Sequence, residues 1–355
     1  MATVYETTAS SGAGTPAWQR ELADAIRDPA ELLAAVGLDA SWLPAARRAA
    51  ALFPLRVPRG HVARMGAGDP DDPLLRQVLP LAAEERPTPG FHDDPVGDRD
   101  VLHPGGVLHK YHGRVLLVAT GACAINCRYC FRRHFPYSDA QAAPREWRDA
   151  LAYIGEHPDI EEVILSGGDP LTLSDRRLGS LAESLDEIAH VRRLRIHSRL
   201  PVVLPERVDD AMLAWFAGGR LKPVMVLHAN HPRELDTAAA EAVTRLRRHG
   251  VHVLNQAVLL RGVNDDADTL TALSERLFDI DVLPYYLHVL DPVAGAAHFD
   301  VGDDEAGELM RAIAARLPGY LVPRLVRELP GRPAKTWLTW DRAPENANDD
   351  VASAP

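Results

Sequence analysis

Cysteine is almost missing from this chain of 355 residues: there are three, Cys123, Cys127 and Cys130, all within one short window. None remains elsewhere to form a bridge, which excludes a disulfide framework and leaves the window to be explained by chemistry. Lysine is equally scarce. Of 39 cationic side chains only Lys110, Lys222 and Lys335 are lysine, and 39 − 3 = 36 are arginine, a bias that keeps lysine for places needing a primary amine. No apolar run approaches the roughly 18 residues of a membrane span. The N-terminus, MATVYETTAS, has neither a basic start nor an apolar stretch, so a soluble, cytoplasmic protein without membrane contact is expected. Positive charge is short as well. The balance of 39 − 50 = −11 disfavours direct nucleic-acid binding or an anionic membrane as partner. No GxGxxG follows the first strand, which removes the main support for a dinucleotide fold.

What is present is ordinary globular composition, 46% apolar and 25% charged, on a chain long enough for a large core. Residues 1 to about 16, small and polar, and the tail 341–355 are expected to be disordered. Across 17–67, WQRELADAI, DPAELLAAVGL and SWLPAARRAAALF space apolar residues by three and four behind Asp or Ser caps, predicting helices. The stretch 68–105 is rich in Pro, Asp and Gly and reads as an extended surface connector. The core spans 106–340. There RVLLVAT, EEVILSG, RLRIHSR, KPVMVLH, VHVLNQAVLL and VLPYYLHVL each precede a helical pattern, giving six βα units. Such apolar runs are covered on both faces, as in an open doubly wound sheet or a barrel. In a barrel, chemistry sits beyond the C-terminal strand ends. The cysteines, Ser166-Gly167-Gly168-Asp169, His197-Ser198-Arg199, His228 and Asp291 all fall there.

Three thiols at x3 and x2 spacing suit a metal. They can hold three irons of a [4Fe-4S] cluster and leave the fourth open. Zinc is the rival, with His134 completing a Cys3His set, and unligated buried thiols are the bland alternative.

Cys-x3-Cys-x2-Cys-Phe-Arg-Arg, then LSGGDPL, IHSRLPVVLP, NQAVLLRGVND and PYYLHVLD, together resemble the radical S-adenosylmethionine (SAM) superfamily. Within it they resemble the lysine 2,3-aminomutase family, most closely the branch making β-lysine for elongation factor P (EF-P). The resemblance runs from about Gly106 to Lys335. It implies a partial (βα)6 TIM-like radical SAM barrel with an N-terminal helical region, and an isomerase moving the α-amino group of L-lysine to the β-carbon. It further implies three cofactors: the [4Fe-4S] cluster on Cys123, Cys127 and Cys130, SAM, and pyridoxal 5′-phosphate (PLP). By the same match Ser166, Gly167, Gly168, Asp169, His228 and Gln256 would contact SAM. Lys335 would carry PLP, with Arg114, Lys110 and Tyr111 around its phosphate. Arg132 would anchor the substrate carboxylate, and Asp291 and Glu328 its distal ammonium. Implied partners are L-lysine, a low-potential electron donor and the ligase that attaches β-lysine to EF-P. The lysine-fermenting members carry Asp where this chain has Glu328, and run further beyond the PLP lysine. Glutamate, arginine or protein-attached lysine remain alternative substrates.

Overall fold

The computed structural model describes residues 15–137 and 147–340. The tail read as disordered, and all but the last two residues of the N-terminal segment read so, lie outside them. The six apolar runs form parallel strands: β3 (Arg114–Thr120), β4 (Glu162–Gly167), β5 (Arg193–Ser198), β6 (Lys222–Leu227), β7 (His252–Val258) and β8 (Leu283–His288). The pattern predicts no more than these. A seventh parallel strand, β9 (Arg324–Arg327), follows the last helix. Antiparallel additions flank both edges. β1 (Leu102–His103) and β2 (Val107–Tyr111) lead into β3, and β10 (Thr336–Trp337) folds back on β9.

The crossover helices form for local reasons. Helix Thr237–Arg248 starts where the Asp236 carboxylate accepts the Ala239 amide at 2.9 Å, and it buries Ala239, Ala242, Val243 and Leu246 along one stripe. Helix Ala267–Asp279 begins the same way, at Asp266. Ten strands follow in chain order across the sheet. Laid flat, β2 and β9 would stand about 34 Å apart at the usual interstrand spacing. Yet Lys110 on β2 donates to Glu328, just past β9, at 2.9 Å. The sheet therefore curls into an incomplete barrel, and its C-terminal rim faces one interior.

The N-terminal helices Ala17–Ala23, Pro29–Val36 and Leu43–Leu52 form as predicted. The segment read as a surface connector does not stay on the surface. Behind the Asp72 cap a helical turn, Pro73–Arg76, buries Leu74 and Leu75, with Gln77, Val78 and Leu79 buried after it. Leu75, Val78 and Leu79 join the main hydrophobic core.

This region grips the cysteine loop. The Asn126 amide donates to Arg56 O at 2.9 Å, and the Arg128 guanidinium reaches Phe53 O at 2.7 Å and Glu84 at 2.8 and 2.5 Å. Arg133 adds a third bond to Glu84 at 2.8 Å, with all three side chains almost wholly buried. Removing one member of a buried charged set strands the others. Glu84→Ala is expected to cost about 3–5 kcal/mol in denaturant unfolding; a loss under about 0.5 kcal/mol, the size of an ordinary surface change, would show that the clamp carries no load.

Candidate active site

The loop leaving β3 places Cys123, Cys127 and Cys130 on the wall of a cavity of about 270 Å³ at the C-terminal rim. Burial and the neighbouring Cys130 push the Cys123 thiol up, and burial with Cys127 pushes Cys130 up to about 11. A metal centre bound by such thiols displaces their protons, which pass to solvent. His134 turns elsewhere, its Nε2 lying 3.1 Å from Ala294 O. Among the described residues no three His, Cys, Asp or Glu side chains converge on one metal ion. The donor set fits a cluster spread over three thiols, not Cys3His zinc.

The loop after β4 presses against this one. Gly167 has φ +118°, and a Cβ there would sit 2.5 Å from Thr120 O; at Gly168 it would sit 2.3 Å from Ala122 O. Only glycine permits that approach. Ser166, just before, accepts from Arg132 Nη1 at 3.2 Å. Asp169 lines the same cavity and also ties neighbouring loops together. Its carboxylate accepts from Ser198 Oγ and the Arg199 amide, both at 2.8 Å, and from the Leu171 amide at 3.1 Å, pinning the loop after β5. Burial raises it to about 6 despite those bonds. His228 and Gln256 pair at 3.0 Å between Nε2 atoms on the cavity wall, and burial, then Arg199, hold His228 down at about 4, so it is neutral at pH 7.

On the same cavity runs a line of alternating charge. Arg132 donates to Asp98 at 2.7 Å, Asp98 meets Lys110 at 2.5 Å, Lys110 meets Glu328 at 2.9 Å, and Glu328 meets Lys335 at 2.5 Å. Burial would raise Glu328, but Lys335 and Lys110 overcome it and hold the carboxyl at about 2. Asp291 has no such partner among the described residues. Its Oδ1 is shut from solvent without a hydrogen bond, and burial, then Glu328, lift it to about 7. The Arg114 guanidinium lies 4.7 Å from the centre of the Tyr111 ring on the same wall. Lys222 stands exposed at the opposite end of β6. The site residues expected from sequence thus line one cavity.

Residues 117–273 match the model of the Radical SAM superfamily. Over 322 residues the chain is 52% identical to an L-lysine 2,3-aminomutase from Escherichia coli (strain K12), covering 90% of this chain and 94% of that protein. The chain belongs to the lysine 2,3-aminomutase family. A second L-lysine 2,3-aminomutase, from Haemophilus influenzae, is 46% identical over 90% of this chain and 94% of its own length. One from Clostridium subterminale is 36% identical over 78% and 66%. Among solved structures, a radical SAM methyltransferase from Sphaerobacter thermophilus has a TM-score of 0.42 at 17% identity, over 62% of this chain and 68% of that one. A radical SAM domain implies the cluster and SAM, and no described helix is long and apolar enough to cross a membrane.

Two members of the site escape sequence reasoning within this family. Asp98 lies in the stretch read as connector, yet it joins Arg132 to Lys110. His288 follows the aromatic pair Tyr285-Tyr286 at the end of β8; burial and then Lys335 push it well below the ordinary histidine range. Its position at a strand end is the available signal.

Proposed function

We propose that this aminomutase-family enzyme is a cytoplasmic, PLP-dependent L-lysine 2,3-aminomutase whose β-lysine passes to a ligase modifying EF-P. One observation carries the reading. Glu328 ties the amine of Lys335 to the chain that ends at Arg132, two residues past the last cysteine, with the unpartnered Asp291 on the same cavity. Bound there, the cluster and SAM would supply radical chemistry, and PLP would supply an aldehyde to carry the amino group and a ring that delocalises an unpaired electron.

The chain's own residues do the rest. Lys335 offers the primary amine to an aldehyde, which no arginine can do. Arg132 presents a planar fork to the α-carboxylate. Glu328 and Asp291 oppose the distal ammonium, so a diamine gives Asp291 a partner that an apolar amino acid would not supply, leaving that carboxylate buried and unpaired. Two acids at these positions also oppose a glutamate side chain. Glu328, where the lysine-fermenting members have Asp, supports the EF-P branch. Barrel walls exclude water from a radical formed inside. Anaerobic incubation with L-lysine, SAM, PLP and a one-electron reductant should yield β-lysine by mass spectrometry. Turnover of glutamate or arginine in its place, or of none of them, would overturn the reading.

Specificity gives a finer test. Asp291→Asn removes a charge-assisted bond worth about 1.5–3 kcal/mol, so kcat/KM for lysine should fall about tenfold to a hundredfold. Because Asp291 titrates at about 7 and only its ionised form attracts the ammonium, KM for lysine should rise as pH falls below 7. Binding of norleucine, which lacks the distal amine, should not change with pH there. Equal pH dependence for both would show that Asp291 faces something else.

A further inference from the structure

Arg199 is buried beside the cysteine loop. One Nη1 hydrogen points at Cys127 Sγ, 2.8 Å away, and the same nitrogen reaches Tyr129 Oη at 2.8 Å. Nη2 is held from behind by Gln77 Oε1 at 2.7 Å and Glu234 Oε2 at 2.8 Å. Asn230 Nδ2 fixes the two acceptors, Tyr129 Oη at 2.6 Å and Gln77 Oε1 at 2.9 Å. From below, Asp169 pins the backbone at Arg199. Four segments of the chain therefore aim one guanidinium at one sulfur.

The geometry points to Arg199 as a positioning residue that sets the reduction potential of the iron-sulfur centre through Cys127. This rests on the reading of Cys127 as a cluster ligand. Hydrogen bonds to ligand sulfurs and nearby charge are the levers by which a protein moves such a potential. Adding one electron from an external one-electron donor adds one negative charge to the cluster, and no bond to Arg199 forms or breaks. A guanidinium stays charged under all working conditions. Glu234 lies behind it, on the other nitrogen, so the pair turns its positive end toward the sulfur and favours the reduced cluster. Without it the cluster is harder to reduce, and the first electron needs a stronger donor.

The test compares anaerobically reconstituted wild type, Arg199→Lys, and the charge-balanced double variant Arg199→Gln/Glu234→Gln, which leaves no buried carboxylate unpaired. Iron content is measured first, then the midpoint potential by redox titration followed by electron paramagnetic resonance. All three should hold about four irons, as a cubane does. The double variant should titrate at a lower potential than wild type. Arg199→Lys, which keeps the charge but loses the planar fork, should fall between them. Loaded variants with the wild-type potential would overturn the role of Arg199 alone. A wild type holding no iron would overturn the cluster reading, and Arg199's role with it.

Discussion

Replacing Cys123, Cys127 or Cys130 with alanine should abolish SAM cleavage, while wild type reconstituted without oxygen should bind about four irons and bleach in air. The size of the effect follows from the count of ligands. These are the chain's only cysteines, so a lost thiolate has no replacement, and the open iron that would bind SAM depends on the other three being held. Folding should survive. The loop is anchored chiefly by Arg128 and Asn126 to Phe53, Arg56 and Glu84, and Cys127 Sγ accepts from Arg199 as well, so the metal-free Cys123 and Cys130 variants should melt close to metal-free wild type and the Cys127 variant somewhat lower. Stoichiometric zinc in place of iron, or a variant that still cleaves SAM, would sink the assignment of the loop.

The parts of this fold that repeat are legible in the amino-acid pattern. Six apolar runs, each followed by a helical pattern, mark β3 to β8, because both signals are local. β9 is not legible, since LVR between charged residues is too short to show a period, and β10 is shorter still. Curling is a property of the whole sheet, and with it goes the contact between Lys110 and Glu328, far apart in sequence. Scarcity marks the thiols and Lys335 as chemistry. Asp98 has no such mark, being one of many carboxylates in a segment where Pro, Asp and Gly hide a buried turn. Asp169 stands out by its place at a strand end, whereas its bonds to Ser198 and the Arg199 amide depend on a loop that only the fold brings near.

Lys335→Ala should lose both the PLP absorbance and all measurable aminomutase activity, yet keep reductive SAM cleavage when that is assayed uncoupled. Three lysines compete for the role. Lys222 is exposed outside the cavity. Lys110 is inside but bound by two carboxylates; burial pulls its pKa down, and Asp98 with Glu328 more than reverses that, so it is raised above the ordinary lysine range. An amine held that firmly as ammonium is a poor nucleophile, because the free base is the reactive form. Lys335 meets Glu328 alone, just before the short strand β10, and Arg114 at the start of β3 brings a guanidinium to the same wall beside Tyr111. SAM cleavage survives in the variant because the cysteine loop hangs from β3 and the N-terminal region, with no bond to Lys335. Borohydride reduction fixes the cofactor to whichever lysine carries it. Peptide mapping of the label to Lys110, or a Lys335→Ala protein that still takes up PLP and turns over lysine, would move the amine elsewhere and undo the proposed division of labour between the two lysines on Glu328.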